Sequence, residues 1–261
     1  MAMQRCDPAA FAEQIARGRE WVVGMQSGNG GWGAFDAENR HAYMNDIPFA
    51  DHGAMLDQPT ADVTARCLSM LAQLGESESE TVRRAYRFLL KEKEKDGSWF
   101  GRWGVNYIFG TWGVLSALNA VGLAHGDARI QRAVKWLLSI QNGDGGWGED
   151  PSSYRLDYTS WEPAPSTASQ TAWALLGLMA AGEVRHAGVV KGVAYLQRTQ
   201  EDHGLWEEEH YTGTGFPRVM YSLYHGYSKY FPLMALARFG RISANLKEEE
   251  EQNKKSGHKI M

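Results

Sequence analysis

The sequence contains little cysteine, with Cys6 and Cys67 as its two copies among 261 residues. Two cysteines are too few for the disulfide scaffolds that stabilise small secreted proteins. Nothing before Gln26 has the apolar core of a signal peptide, so we expect a protein on the cytoplasmic side of the membrane. A run of about 18 apolar residues is also absent, which excludes a spanning helix but leaves attachment to a membrane surface open.

An excess of positive charge is also missing. Lys and Arg number 27 against 31 Asp and Glu, which gives a net charge of −4. Proteins that neutralise nucleic-acid phosphates need a basic surface, so we expect no nucleic-acid partner. Glycine and tryptophan, by contrast, are abundant, with 29 and 10 copies.

The glycines and tryptophans lie together in a turn that occurs four times. In each copy a Trp follows a Gln or Lys by six residues, with glycine between them. The four pairs are Gln26 and Trp32, Lys93 and Trp99, Gln141 and Trp147, and Gln200 and Trp206. An aromatic residue precedes each turn, as Trp21, Phe88, Trp136 and Tyr195. A basic and a small residue stand four and three positions before each aromatic, as Arg17-Gly18, Arg84-Ala85, Arg132-Ala133 and Lys191-Gly192. Such self-similarity indicates a repeat architecture.

Each copy predicts a helix, a turn and a second helix. The segment before the turn, for instance 133–140, carries apolar residues on one face, as expected of an outer helix that the glycines end. The second helices are predicted over Ala61 to Leu74, Thr111 to Val121, Ser166 to Ala181, and Tyr230 to Phe239. The segment 168–181 is apolar around most of its circumference, which is typical of a buried inner helix.

No segment predicts a strand of convincing length. We therefore expect an all-α fold, a partial α/α toroid of about four helical hairpins over residues 1–240. After Gly240 a block of acids followed by bases predicts a charged, disordered tail over 241–261.

The Gln and Trp of each turn have a structural interpretation. A Gln amide can donate and accept hydrogen bonds at once, so it can bind free backbone groups at a neighbouring helix end. A Trp ring can pack over that contact. We expect the turns to lock neighbouring hairpins together rather than to carry chemistry.

These turns, together with the stretches between them, resemble the triterpene cyclases and in particular the bacterial squalene-hopene cyclases. The similar stretches are 32–36, 47–49, 96–107, 169–173 and 211–217. The resemblance implies an isomerase, an intramolecular transferase, that folds a linear isoprenoid such as squalene in an apolar cavity and protonates it. A carbocation cascade would then give hopene, or hopanol by hydro-lyase chemistry. No metal and no organic cofactor are implied.

One element of the family pattern is absent from the sequence. Family members carry their proton donor in an Asp-x-Asp-Asp motif upstream of the similar region, and this chain has no such motif. Protonating an alkene requires a neutral, polarised carboxylic acid. The chain therefore resembles the C-terminal part of a cyclase. It could complete a barrel with an N-terminal half as partner, or be a fragment without catalysis of its own.

The resemblance also implies site residues. Asp62 and Arg66, four apart on one helix face, would help to polarise the missing acid; the alternative is an ordinary helix salt bridge. The cavity or its entrance channel would be lined by Phe35, Phe49, Trp103, Phe109, Phe216, Met220, Tyr224 and Tyr227. Aromatic faces stabilise a cation without offering a base. Met220 and Ser222 replace the usual Phe and Leu, which points to an altered product or lost activity.

Other toroid enzymes are less consistent with the sequence. A prenyltransferase zinc site needs an Asp-x-Cys pair, which Cys6 and Cys67 do not provide. A glycosidase needs paired carboxylates, for which Asp144, Glu149 and Asp150 are candidates, although the turn itself explains them better. Peripheral, monotopic association with the cytoplasmic face of the inner membrane is implied by the family alone.

Overall fold

The computed structural model describes residues 2–39, 41–50, 52, 55–154 and 161–257. The helices in these ranges are α1 (Ala2–Cys6), α2 (Ala12–Gly24), α3 (Ala61–Gln73), α4 (Glu80–Lys91), α5 (Tyr107–Ala120), α6 (Ala128–Ser139), α7 (Ala168–Ala180), α8 (Ala187–Arg198) and α9 (Tyr227–Gly257). Short 3-10 helices cover Ala42–Asn45 and Pro151–Tyr154. The strands are β1 (Trp147–Glu149), β2 (Pro163–Thr167), β3 (Gly213–Phe216) and β4 (Met220–Ser222), paired antiparallel as β1 with β2 and β3 with β4.

The helices form two curved layers. The inner layer consists of α3, α5, α7 and α9, each packed against the next in that order. Each of α3, α5 and α7 also contacts the outer helix that follows it. Because α5 and α7 are covered on both sides, nearly all of their residues are buried. This arc of helical hairpins is the predicted partial α/α toroid. None of the helices in the described ranges combines the length and apolarity of a membrane span.

The structure differs from the sequence-based boundaries in three places. Helix α5 begins at Tyr107 rather than Thr111, and α9 begins at Tyr227 rather than Tyr230. Four strands of three to five residues are present where the sequence predicted none. Strands this short leave too few residues for an alternating pattern to be seen in the sequence.

The charged C-terminal segment also differs from its predicted state. Helix α9 continues as far as Gly257, so 241–257 is helical where the composition predicted disorder. Glu and Lys are good helix formers, Leu246 packs against the core, and Arg185 forms an ion pair of 2.5 Å with Glu250. The last residues, 258–261, lie outside the described ranges.

The tryptophan of each turn is held by the same hydrogen bond. Its indole N–H donates to the backbone carbonyl ten residues upstream, near the end of the preceding outer helix. The pairs are Trp32 with Val22, Trp99 with Leu89, Trp147 with Leu137, and Trp206 with Leu196, at 2.6–2.8 Å. Each ring is also buried, with an exposed fraction of 2% or less. The turn is thereby fixed to its own outer helix.

A second group of bonds joins each hairpin to the next. The Gln26 amide donates to the Gly30 carbonyl within its turn and to the Thr81 carbonyl on α4, both at 2.9 Å. Gln141 repeats this arrangement, with a bond of 2.9 Å to the Gly188 carbonyl on α8. At Lys93 no corresponding side-chain bond is present, and only its backbone pairs with Trp99.

The glycine inside the turn is required by the close approach of the next helix. Gly145 has φ +92°, a region that favours glycine, and a Cβ there would lie 2.8 Å from the Lys191 carbonyl oxygen. A side chain at Gly145 would therefore separate the third turn from α8. The basic residue of the repeat also binds the preceding turn. In the first turn, the Ser27 carbonyl accepts a hydrogen bond of 2.8 Å from Arg84 Nη2 on α4.

Candidate functional site

Predicted site residues from three inner helices and two turns surround one cavity. Its volume is about 520 Å³, and it lies between α3, α5 and α9. The lining residues are Ala34, Phe35, Asp62, Val63, Arg66, Trp103, Phe109, Tyr227, Tyr230 and Phe231. A space of this size, mostly apolar with a few charged groups, is typical of a small-molecule site.

Asp62 supplies the negative charge of the cavity wall. It lies in the first turn of α3 and is 2% exposed. Its Oδ1 accepts hydrogen bonds from the Thr60 hydroxyl at 2.6 Å and from the Val63 N–H at 3.0 Å. Its Oδ2 accepts the Trp103 N–H at 2.9 Å, which ties α3 to the second turn. The positive end of the α3 dipole further stabilises this carboxylate. These contacts hold the Asp62 side chain in one orientation.

Arg66 lies one helical turn further along the same wall. Its guanidinium carbon is 4.7 Å from the centre of the Trp112 ring and 5.2 Å from that of Phe109, distances typical of cation–π contacts. Burial lowers the pKa of Arg66, and the nearby negative charge of Asp62 partly opposes that effect. Arg66 thus makes its close contacts with aromatic rings, while the charge of Asp62 acts on it from the same helix.

Behind the cavity, aromatic rings interlock across the inner helices. The Trp173 ring lies 4.9 Å from Phe109 and 5.6 Å from both Tyr227 and Phe231, edge to face in each case. It also stacks parallel to Trp112 with centroids 6.2 Å apart. Such contacts fix the positions of the rings behind the cavity wall.

The structure brings only part of the predicted set together. Six of the predicted residues line the cavity, namely Phe35, Asp62, Arg66, Trp103, Phe109 and Tyr227. Tyr224 lies at its edge, with its ring 4.8 Å from that of Tyr227. Phe216 and Met220 face each other across the β3–β4 pair, outside the lining, and Phe49 is 81% exposed. The roles of all these residues remain predictions.

Four aromatic residues of this region had no predicted role. Tyr230 and Phe231 line the cavity, and Trp112 and Trp173 support its wall. The signal for the first two was the spacing from Tyr227 of three and four residues, which places all three on one face of a helix. That signal needs the helix to begin at Tyr227, three residues before the predicted start.

A second buried carboxylate lies outside the cavity, at the start of α5. Glu149 is 3% exposed and accepts the backbone N–H groups of Asn106, Tyr107 and Ile108 at 3.0–3.1 Å. Burial raises the pKa of Glu149 to about 7, although these N–H groups favour its charged form. Asp144 accepts the Gly146 N–H within the third turn. Asp144 thus has the structural role that the turn interpretation predicted, whereas Glu149 binds the start of α5, a contact that this interpretation did not include.

No metal-binding cluster is found in the described ranges, since nowhere do three His, Cys, Asp or Glu side chains converge. Free cysteines are Cys6, which is exposed, and Cys67, whose thiol pKa burial raises to about 12. A thiol with this pKa is a poor nucleophile near neutral pH.

Comparisons with known proteins identify the family of the chain. Residues 1–241 match the family model of the squalene-hopene cyclase C-terminal domain. The squalene–hopene cyclase of Bradyrhizobium diazoefficiens is 64% identical over 234 residues, which cover 89% of this chain and 36% of that protein. The corresponding protein of Zymomonas mobilis is 61% identical over 233 residues, covering 89% and 35%. The chain thus spans about 36% of the length of this first relative.

A solved structure supports the fold independently. A type II terpene cyclase from Scytonema superposes with a TM-score of 0.60 at 18% identity, covering 90% of this chain and 68% of that one. At this identity the likeness concerns the toroid alone. The match of the family model over nearly the whole sequence decides the family. The chain belongs to the squalene-hopene cyclase C-terminal domain family.

Proposed function

We propose that this chain forms one wall of the catalytic barrel of a squalene-hopene cyclase. Together with an N-terminal part that carries the Asp-x-Asp-Asp acid, it converts squalene into hopene or hopanol. The observation that carries the proposal is the aromatic cavity with the fixed carboxylate of Asp62 in its wall. The substrate is a linear isoprenoid, which the apolar lining suits.

Each part of the cavity has a chemical task in this reaction. The acid of the N-terminal part protonates a terminal double bond, and Asp62 and Arg66 act as positioning residues that orient it. Ring faces such as those of Trp103 and Phe109 then stabilise the migrating cation by about 0.5–2 kcal/mol each when water is excluded. These ring faces are not bases, so they stabilise the cation without removing a proton from it.

The proposal includes the place where the protein acts. Squalene is apolar and dissolves in the bilayer, so the assembled cyclase takes it from the cytoplasmic face of the inner membrane. We propose peripheral, monotopic association for the assembled protein. Exposed apolar side chains such as Phe49, at 81%, are consistent with such a surface.

Squalene turnover by purified protein tests the proposed function. We expect no hopene or hopanol from the chain alone, because a neutral carboxylic acid must be present to protonate the alkene. When the chain is combined with the N-terminal part of a relative, we expect product that gas chromatography detects. Product from the chain alone would overturn the need for the missing acid. If the assembled complex is stable and gives no product, the chain completes a barrel without catalysis.

The role of Asp62 is tested by Asp62→Asn in the active combination. The amide keeps the size of the side chain but removes its charge and places a donor against the Trp103 N–H. We expect kcat to fall tenfold or more with little change in KM, because the substitution affects the orientation of the acid and leaves the binding of squalene by the apolar lining unchanged. Glu248→Gln in the exposed part of α9 is the matched control and is expected to keep full activity. An unchanged kcat for Asp62→Asn would contradict the positioning role.

A further inference from the structure

Each outer helix carries the basic, the small and the aromatic residue of the repeat. On one of these helices the aromatic residue is much more exposed than on the others. The aromatic residue of the repeat is 5% exposed at Phe88 and 7% exposed at both Trp136 and Tyr195. The equivalent residue on α2, Trp21, is 60% exposed. Helix α2 as a whole has no buried residue, unlike α4, α6 and α8.

The buried copies show what covers this face. The preceding turn lies on it: Gln26 donates to the Thr81 carbonyl, three residues before Arg84, and Gln141 donates to the Gly188 carbonyl, three residues before Lys191. In the opposite direction, Arg84 donates a hydrogen bond from Nη2 to the Ser27 carbonyl of the turn.

The small residue after the basic one makes room for the turn. A Cβ on Gly192 would lie 2.7 Å from the Trp147 ring, so that ring packs directly on the helix backbone. Its counterparts Ala85 and Ala133 are fully buried. Helices α4 and α8 thus bind the preceding turn through one set of positions, and on α6 the basic residue Arg132 donates from Nη2 to the Lys95 carbonyl of its preceding turn.

Helix α2 has the same set of positions around an open groove. The groove has a volume of about 640 Å³ and is lined by Gln14, Arg17, Gly18, Glu20 and Trp21. Gln14 precedes Arg17 by three residues, so its carbonyl has the position that accepts the Gln amide in the other copies. Nothing lies within 4 Å of a Cβ added to Gly18, whereas the equivalent Gly192 is in contact with a Trp ring.

We propose that this face of α2 is a docking surface for a Gln-to-Trp turn of the N-terminal cyclase part. The inference rests on the proposed function, because that function supplies the partner. The chain matches the C-terminal domain of its family and covers 36% of a relative, so most of that relative precedes the matched region, and α2 is the first long helix after it. In the bound state the partner's Gln donates to the Gln14 carbonyl, Arg17 donates to a turn carbonyl, and Trp21 covers the turn.

Binding between purified proteins tests the surface without squalene. The probe is the N-terminal part of the Bradyrhizobium relative, and the dissociation constant is measured by analytical ultracentrifugation. Gly18→Leu fills the groove where the other copies need a small residue, and since Gly18 lies in open space and leucine is a good helix former, the variant should fold like the parent. We expect binding at least tenfold weaker. Gly24→Leu, the same change on the same helix and also in open space, is the control and should bind within twofold of the parent.

The outcomes separate this inference from the proposed function. Equal binding by both variants, or no binding by the parent chain, overturns the docking surface. Self-association of the chain alone that Gly18→Leu abolishes would assign the surface to a second copy and overturn the partner. Binding that Gly18→Leu weakens, without any squalene product, leaves the docking surface in place and overturns only the cyclase activity.

Discussion

Trp147→Ala is expected to lower the free energy of unfolding by about 3–5 kcal/mol, the usual cost of removing a buried Trp side chain. Trp147 is fully buried and packs on the backbone of α8 at Gly192. Its indole N–H donates to the Leu137 carbonyl at 2.8 Å, and its backbone N–H donates to the Thr171 hydroxyl at 2.9 Å. The ring therefore links α6, α7 and α8, and its loss leaves a cavity and a buried carbonyl without its donor.

Urea unfolding followed by circular dichroism measures this effect. Trp147→Phe keeps an aromatic ring but removes the N–H, so we expect a smaller loss of about 1–3 kcal/mol from the unpaired Leu137 carbonyl. Trp21→Ala is the matched control, because Trp21 is 60% exposed and its removal should change stability by less than about 1 kcal/mol. A Trp147→Ala variant that unfolds at the same urea concentration as the parent would show that the turns do not lock the hairpins.

The local pattern of the sequence was enough to predict the repeat and its helical hairpins. The Gln-to-Trp spacing and one-sided apolar segments depend on residues close together in the chain, and the structure has a hairpin at each of them. The start of α5 was missed because its cap is not local. Asn106 makes no capping bond with its side chain, and the free N–H groups bind Glu149, more than 40 residues away. No pattern around Tyr107 could have indicated this.

The candidate site shows the same limit. Asp62, Arg66 and the aromatic residues of the first two units were found through the family resemblance and lie around one cavity. Which face of α9 lines the cavity depends on how α9 packs against α7 in the curved layer, which the sequence of a single helix does not encode. Tyr230 and Phe231 were therefore missed.

The stability of the chain is expected to fall as pH rises from about 4.5 to about 7, and Glu149 is the group responsible. Burial raises its pKa to about 7, against an ordinary value of 4.5 in the unfolded chain. Between these values the folded state holds a proton that the unfolded state has released, so stability is complete below pH 4.5 and is lost as pH rises through 7. The loss is about 3 kcal/mol at most.

Glu149→Gln isolates this effect, since the amide has the same shape and does not ionise. The variant loses one acceptor for the N–H groups at the start of α5, which we expect to cost about 1–3 kcal/mol at pH 5. Above pH 7 the parent must keep a charged carboxylate buried at the same place, which lowers its free energy of unfolding. The difference in free energy of unfolding between parent and variant should therefore become smaller. The measurement is the free energy of unfolding in urea at steps between pH 4.5 and pH 8.

The informative quantity is the difference in free energy of unfolding between parent and variant at each pH. Other groups titrate in both proteins, so their contributions cancel in this difference. Glu249→Gln on the exposed end of α9 is the control and should follow the parent at every pH. A constant difference across the range would mean that Glu149 is charged throughout, with the N–H groups of Asn106, Tyr107 and Ile108 outweighing its burial. In that case the start of α5 is an anion site held by backbone donors, and the pH dependence of folding must come from other carboxylates such as Glu208, whose pKa burial also raises.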